Sequence, residues 1–144
     1  MVIHVVNGPN LNLVGTREPE IYGNTSLEEA MSALEQRFAG LVEIATFQSN
    51  HEGALVDHLQ AIGFGESRGI VLNAGALGHT SLALGDCIRA LRVPVVDVHI
   101  SNVYAREAFR QNSYVTPACV GAISGLGLEG YGLAVEYLLS RKPA

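Results

Sequence analysis

Six side chains in this sequence, Arg17, Tyr22, Asp97, His99, Arg106 and Arg110, are of types that together bind an anion and move a proton. Three arginines in a chain of net charge −5 imply a small anionic ligand, since the guanidinium fork matches a carboxylate or a phosphate. The alternative is that each arginine pairs with a nearby acid such as Glu18 or Glu107. Tyr22 stands five residues beyond Arg17. A free phenol is a poor base, with a pKa of about 10, but a guanidinium beside it favours phenolate. Lowering that pKa by about 2 to 3 units takes about 3 to 4 kcal/mol, which one or two arginines in a closed, water-poor site can supply. Packing is the more ordinary use of a tyrosine, so spacing alone leaves this role open.

His99 follows an apolar run, and Asp97, two residues earlier, shares its face if the run is a strand. A carboxylate beside an imidazole fixes its tautomer and stabilises its charged form, which suits general acid or base work; a satisfied, partly buried histidine is the other reading. Asn7, Asn10, Asn73, His79 and Ser101 fall in similar polar corners. His4 reads as structural. His51 and His58 match no metal spacing, although His51 could reach the same region from another corner.

What the chain lacks narrows the chemistry. Its sole lysine is Lys142, so imine formation with a carbonyl substrate is excluded as a reading. There is no Walker sequence, no GxGxxG after the first apolar run, and no GxSxG around Ser81. Cys87 and Cys119 are too few for a disulfide framework or a zinc site and read as small hydrophobes. Simple proton chemistry without metal or cofactor is what remains.

These groups need a scaffold that gathers them. Residues 2–6 predict a buried strand, followed by a loop over 7–23 of seventeen residues, where about two to six are usual. Length and polar content together predict a lid. Thr25-Ser26-Leu27-Glu28 has the form of a capping box, opening a helix with Leu27, Met31, Leu34 and Phe38 on one face. A strand over 42–47, a polar corner over 48–53 and a helix carrying Leu55, Val56, Leu59 and Ile62 come next. The strand predicted over 69–72 runs into a Gly-rich corner over 73–81, then a helix with Leu82, Leu84, Ile88 and Leu91. The strand over 95–98 ends at His99-Ile100-Ser101-Asn102, and a short helical segment carries Arg106 and Arg110. A strand over 120–124 breaks at Gly125, Gly127 and Gly130, which read as a turn with close helix packing, before a last helix from about Tyr131 to Ser140. Continuous apolar strands alternating with amphipathic helices indicate an α/β, flavodoxin-like, doubly wound five-stranded parallel sheet with helices on both faces. Ligands of such sheets bind beyond the carboxyl ends of the strands, where these polar corners fall.

The chain of 144 residues, 48% hydrophobic and 16% charged, suits a single domain over 1–144 with an aliphatic core. Its negative charge argues against nucleic-acid or membrane-surface partners, and no apolar run nears the ~18 residues of a membrane span. Met1 leads into a strand without a basic leader or cleavage site, so a cytoplasmic location is expected.

NGPNLNLVGTREPEIYG, QSNHEG, NAGALGHTS, VHISNVYAREAFR with Ser113-Tyr114, and GLGLEGY resemble, in order and spacing, the type II 3-dehydroquinate dehydratases. The resemblance implies a hydro-lyase of the shikimate or quinate pathway, a flavodoxin-like fold, no cofactor, the small anionic substrate 3-dehydroquinate, and a homo-oligomer, a dodecamer of four trimers. It implies that Tyr22 removes a proton beside the ketone, that Arg17 makes Tyr22 acidic enough, that Asn10 holds a water on the enolate, and that His99 protonates the departing hydroxyl. Asn73 and the backbone at Ile100 and Ser101 would hold the carboxylate, and His79 and Arg110 ring hydroxyls. Arg106 would lie on the lid side, and Asp86 would approach a neighbouring subunit's site. Four positions depart from the family pattern: Asp97 for Glu, Gly78 for Thr, Gly85 for Arg and Tyr104 for His. The shorter Asp97 is expected to need a water or a backbone shift to reach His99. A flavin- or phosphate-binding module without catalysis, and an inactive relative, are the competing readings; Pro9 and Asn10 in the first corner speak against a phosphate cradle.

Overall fold

A computed structural model describes residues 1–16, 20 and 24–142. Five strands, β1 (Val2–Asn7), β2 (Glu43–Gln48), β3 (Gly69–Asn73), β4 (Val95–His99) and β5 (Gly121–Ser124), form one sheet in the order β2-β1-β3-β4-β5. Every pairing is parallel. Strand order reverses at β1, so the crevice between the carboxyl ends of β1 and β3 is where such a sheet accepts a ligand.

Helices α1 (Leu27–Arg37), α2 (Glu52–Ile62), α3 (Leu82–Ala90) and α4 (Glu129–Ser140) cover the sheet. Ile3, Val5, Val71, Val96 and Val98 meet Met31 and Leu34 of α1 and Val135 and Leu138 of α4. Val6, Ile70, Leu72 and Val95 meet Leu55 and Leu59 of α2 and Leu84 and Ile88 of α3 on the other face. Alternate residues of one strand thus enter separate cores, which is why β3 and β4 read as unbroken apolar runs. Among the described residues no helix is long and apolar enough to cross a membrane.

Several boundaries differ from expectation. β1, β3 and β4 each run one residue further, because Asn7, Asn73 and His99 complete the ladder with their backbones while carrying polar side chains; Asn7 pairs with Asn73, and His99 with Ser124. The α1 cap is Ser26, accepting from Glu29 N–H at 3.1 Å, one residue later than the Thr25–Glu28 box. The expected helical segment around Arg106 is two separate 3₁₀ turns, Val103–Ala105 and Ala108–Gln111, broken by the extended backbone of Arg106 at φ −107°.

The two central strands are tied at their ends by Tyr131 of α4, 1% exposed. Its hydroxyl donates to Asn7 Oδ1 at 2.6 Å and accepts from Asn73 Nδ2 at 2.9 Å. Burial raises the pKa of this phenol, the Asn73 hydrogen bond offsetting it only in part. Tyr131→Phe leaves a buried asparagine acceptor unpaired and is expected to cost about 1 to 3 kcal/mol in urea unfolding at pH 7. In the unfolded chain the phenol ionises near pH 10, whereas in the fold it keeps its proton, so stability is lost as pH rises past about 10. That alkaline component should be missing from the variant; equal alkaline losses in both proteins would contradict the buried phenol.

Candidate active site

The carboxyl edge of the sheet opens into a cleft lined by thirteen residues, among them Asn10, Asn73, His79, His99, Ile100, Ser101, Arg106 and Arg110. Three elements build its floor. Gly8 N–H donates to the Asn73 carbonyl at 2.8 Å, bringing the loop after β1 onto the loop after β3. A Cβ at Gly8 would lie 2.5 Å from the Ala74 carbonyl oxygen, so only glycine permits this approach. Asn10 takes a left-handed backbone, φ 70°, and its N–H donates to Asn50 Oδ1 at 3.0 Å, which fixes the start of the long loop against the corner after β2. Asn73 has one amide hydrogen on Tyr131, and its Oδ1 accepts from Gly75 N–H at 3.1 Å, leaving the second amide hydrogen for a ligand.

The two histidines have defined tautomers. A carbonyl only accepts, so His79 Nδ1 donates to the Asn112 carbonyl at 2.7 Å and Nε2 is left for the cleft. An ionised carboxylate likewise accepts, so His99 Nε2 donates to Asp97 Oδ2 at 2.9 Å and Nδ1 is left. The rings are 5.8 Å apart and inclined at 24°. The expected gap between Asp97 and His99 is absent: the shorter side chain reaches the imidazole directly, with Thr116 Oγ1 donating to the same oxygen at 2.6 Å.

Arg106 Nη1 donates to Ser101 Oγ at 3.2 Å. Arg110 Nε donates to Glu107, whose carboxyl it holds below the usual range, so pairing with a neighbouring acid does occur there while the side chain still lines the cleft. No described lining residue is acidic, and two guanidinium groups and two imidazoles face one space. Such a cleft favours an anion and can donate or accept a proton at imidazole. Among the described residues no group of three or more His, Cys, Asp and Glu side chains could hold a metal ion.

Other expectations fall elsewhere. Asp86 is exposed on α3, 3.9 Å from Arg89, and does not line the cleft of its own chain. Arg17 and Tyr22 lie outside the described residues. His51 is exposed at the start of α2, away from the cleft lining, and His4 packs edge-on to His58, which stacks on Phe47 at 3.9 Å. Sequence reasoning missed Asn50, Asn112, Thr116 and the hydroxyl of Tyr131. Of these, Tyr131, within GLGLEGY, and Asn50, within QSNHEG, carried a local signal.

Cys119 lies near Asp97, and burial together with that negative charge pushes its thiol up to about 12; burial also raises that of Cys87. Both thiols should resist an aromatic disulfide reagent at pH 8 in the folded protein and react after denaturation. Rapid labelling of either in the native state would contradict these surroundings.

The chain matches the family described as Dehydroquinase class II over residues 1–139. It is 50% identical over 143 residues to a 3-dehydroquinate dehydratase of Roseiflexus castenholzii, covering 99% of this chain and 90% of that one. A catabolic 3-dehydroquinase 1 of Aspergillus fumigatus is 47% identical over 137 residues, covering 94% and 91%. The crystal structure of a type II dehydroquinase from Butyrivibrio crossotus superposes with a TM-score of 0.94 at 43% identity, covering 97% of this chain and 98% of the other.

Proposed function

The chain belongs to the class II dehydroquinase family and is an enzyme of that family's hydro-lyase type, and on this premise we propose that it removes water from 3-dehydroquinate to give 3-dehydroshikimate by cofactor-free anti elimination. The observation that carries the reading is the gathering of Asn10, Asn73, His79, His99, Ile100, Ser101, Arg106 and Arg110 around one cleft without an acidic lining residue.

In the proposed reaction Tyr22, held as phenolate by Arg17, takes a proton from the carbon beside the ketone. The electron pair moves onto the carbonyl oxygen, and a water on Asn10 stabilises the enolate. Collapse of the enolate restores the ketone, forms the new C=C bond and breaks the C–O bond, while His99, as the imidazolium that Asp97 stabilises through Nε2–H, gives its Nδ1 proton to the leaving hydroxyl, which departs as water. A modest base suffices for such a proton when the oxyanion is stabilised and water is excluded. Asn73 and the backbone at Ile100 and Ser101 hold the substrate carboxylate, His79 and Arg110 hold ring hydroxyls, and Arg106 lies on the lid side. Asp86, exposed on α3, is suited to reach a neighbouring subunit in a dodecamer of four trimers. The reading is of one cytoplasmic domain over 1–144 acting in the shikimate or quinate pathway, with neither nucleic acid nor membrane as partner.

Purified protein mixed with 3-dehydroquinate should give the rising ultraviolet absorbance of the conjugated product, in the presence of chelator; no rise would sink the reading. Tyr22→Phe should lower kcat by at least about 10²-fold while substrate binding, followed by calorimetry, survives. Turnover near wild type would place the base elsewhere.

A further inference from the structure

We propose that residues 112–116 form a strap that sets both cleft histidines, with Thr116 as a positioning residue that holds His99 through Asp97. Asp97 is 1% exposed, and its two donors among the described residues, His99 Nε2 at 2.9 Å and Thr116 Oγ1 at 2.6 Å, both bind Oδ2. Its Oδ1 is buried with no hydrogen-bond partner among the described residues. A buried carboxylate with so few donors depends heavily on each of them. Without the threonine hydroxyl, His99 is the only donor among the described residues left on the group that orients it.

Thr116 is itself held. Its N–H and that of Val115 donate to Ser113 Oγ at 2.9 and 3.1 Å, filling both acceptor positions of that hydroxyl. The Ser113 proton then goes to the Gly78 carbonyl, 3.2 Å away, or to Thr116 Oγ1 at 2.8 Å, because the Thr116 proton is already on Asp97. Tyr114 N–H also donates to the Gly78 carbonyl, at 2.9 Å. At the other end of the strap, the Asn112 carbonyl accepts from His79. Five consecutive residues therefore fix the tautomer of one imidazole directly and of the other through a carboxylate.

The strap needs room beside α3. A Cβ at Gly85 would lie 2.4 Å from the Tyr114 carbonyl oxygen, a contact that backbone cannot yield to without moving the strap. Asp97, Gly78 and Gly85, three of the four departures noted in the sequence, thus all touch this one segment. The short acid, the close strap and the small residue beneath it form one mutually dependent arrangement. Among the described residues, the charged and titratable groups around it include His79, His99, Arg106 and Arg110 in the cleft, Cys119 beside Asp97, and Arg89 beside Gly85.

The turnover arm of the test rests on the dehydratase reading; the spectroscopic arm does not. Thr116→Val, which keeps the shape and removes the hydroxyl, should lower kcat about tenfold or more, within the ~10²–10⁴ that a general acid supplies, with KM changed less than about twofold. Thr116→Ser should restore most of the loss. Long-range ¹H–¹⁵N spectra, recorded at a pH where the imidazoles are neutral, should report the Nε2–H tautomer of His99 in the wild type and in Thr116→Ser, and a mixture in Thr116→Val. Gly85→Ala should act in the same direction by displacing the strap. If Thr116→Val does not fold by circular dichroism, Thr116→Ala, smaller than the native residue, supplies the same comparison. An unchanged tautomer with kcat within twofold of wild type, or a serine variant as impaired as the valine one, overturns the proposal. Absence of wild-type turnover with the tautomer change still present overturns the dehydratase reading and leaves the role of Thr116 standing.

Discussion

The arrangement depends on one buried hydroxyl at the place where strand order reverses. Tyr131 reaches from α4 across the ends of β1 and β3 and joins Asn7 to Asn73, residues that face each other in the ladder. A phenol and two amides withdrawn from water are tolerable only when each is paired, and an unpaired member would cost more than the pairing contributes. The last acceptor in the chain of bonds is Met31 Sδ, 3.8 Å from Asn7 Nδ2, a weak partner supplied by α1. Both helices on that face thereby fix the edge of the sheet, and the orientation of the Asn73 amide follows from a contact made behind the cleft.

Charge is arranged to a similar end. The chain carries fourteen acids against nine Lys and Arg residues, yet no described lining residue of the cleft is acidic. Arg37, by contrast, bridges Glu129 and Glu136 at 2.8 Å on a helix surface, where solvent screens the pairs and they add little stability. An acidic surface with a locally positive cleft concentrates field at the cleft and repels anions elsewhere. Asp97 acts on the cleft from beneath, covered by the strap, and among the described residues its side chain is bonded to His99 and Thr116.

Much of this was legible in the chain. Apolar runs separated by amphipathic segments specify a parallel sheet, because both faces of each strand must be covered, and the polar residue that ends each run marks the edge at which a ligand is held. Thus Asn73, His79, His99, Ser101, Arg106 and Arg110 could be named from local pattern, and the structure gathers them in one cleft. The helix expected through Arg106 was less legible, since its break follows from a backbone turn that side-chain periodicity does not encode.

Sequence alone determined the fold class, the end of the sheet that carries the cleft, and the residue types gathered there, since these follow from periodicities of two and about 3.6 and from short motifs. Tertiary structure alone decided which groups hold those residues in place. Tyr131 and Asn7 are 124 positions apart, and Thr116 and Asp97 nineteen, so no local window contains either pair. Even the length of Asp97 misled by itself, because a side chain's reach depends on where the neighbouring backbone lies. That position is set by close packing between segments distant in sequence, including the strap seated over Gly85.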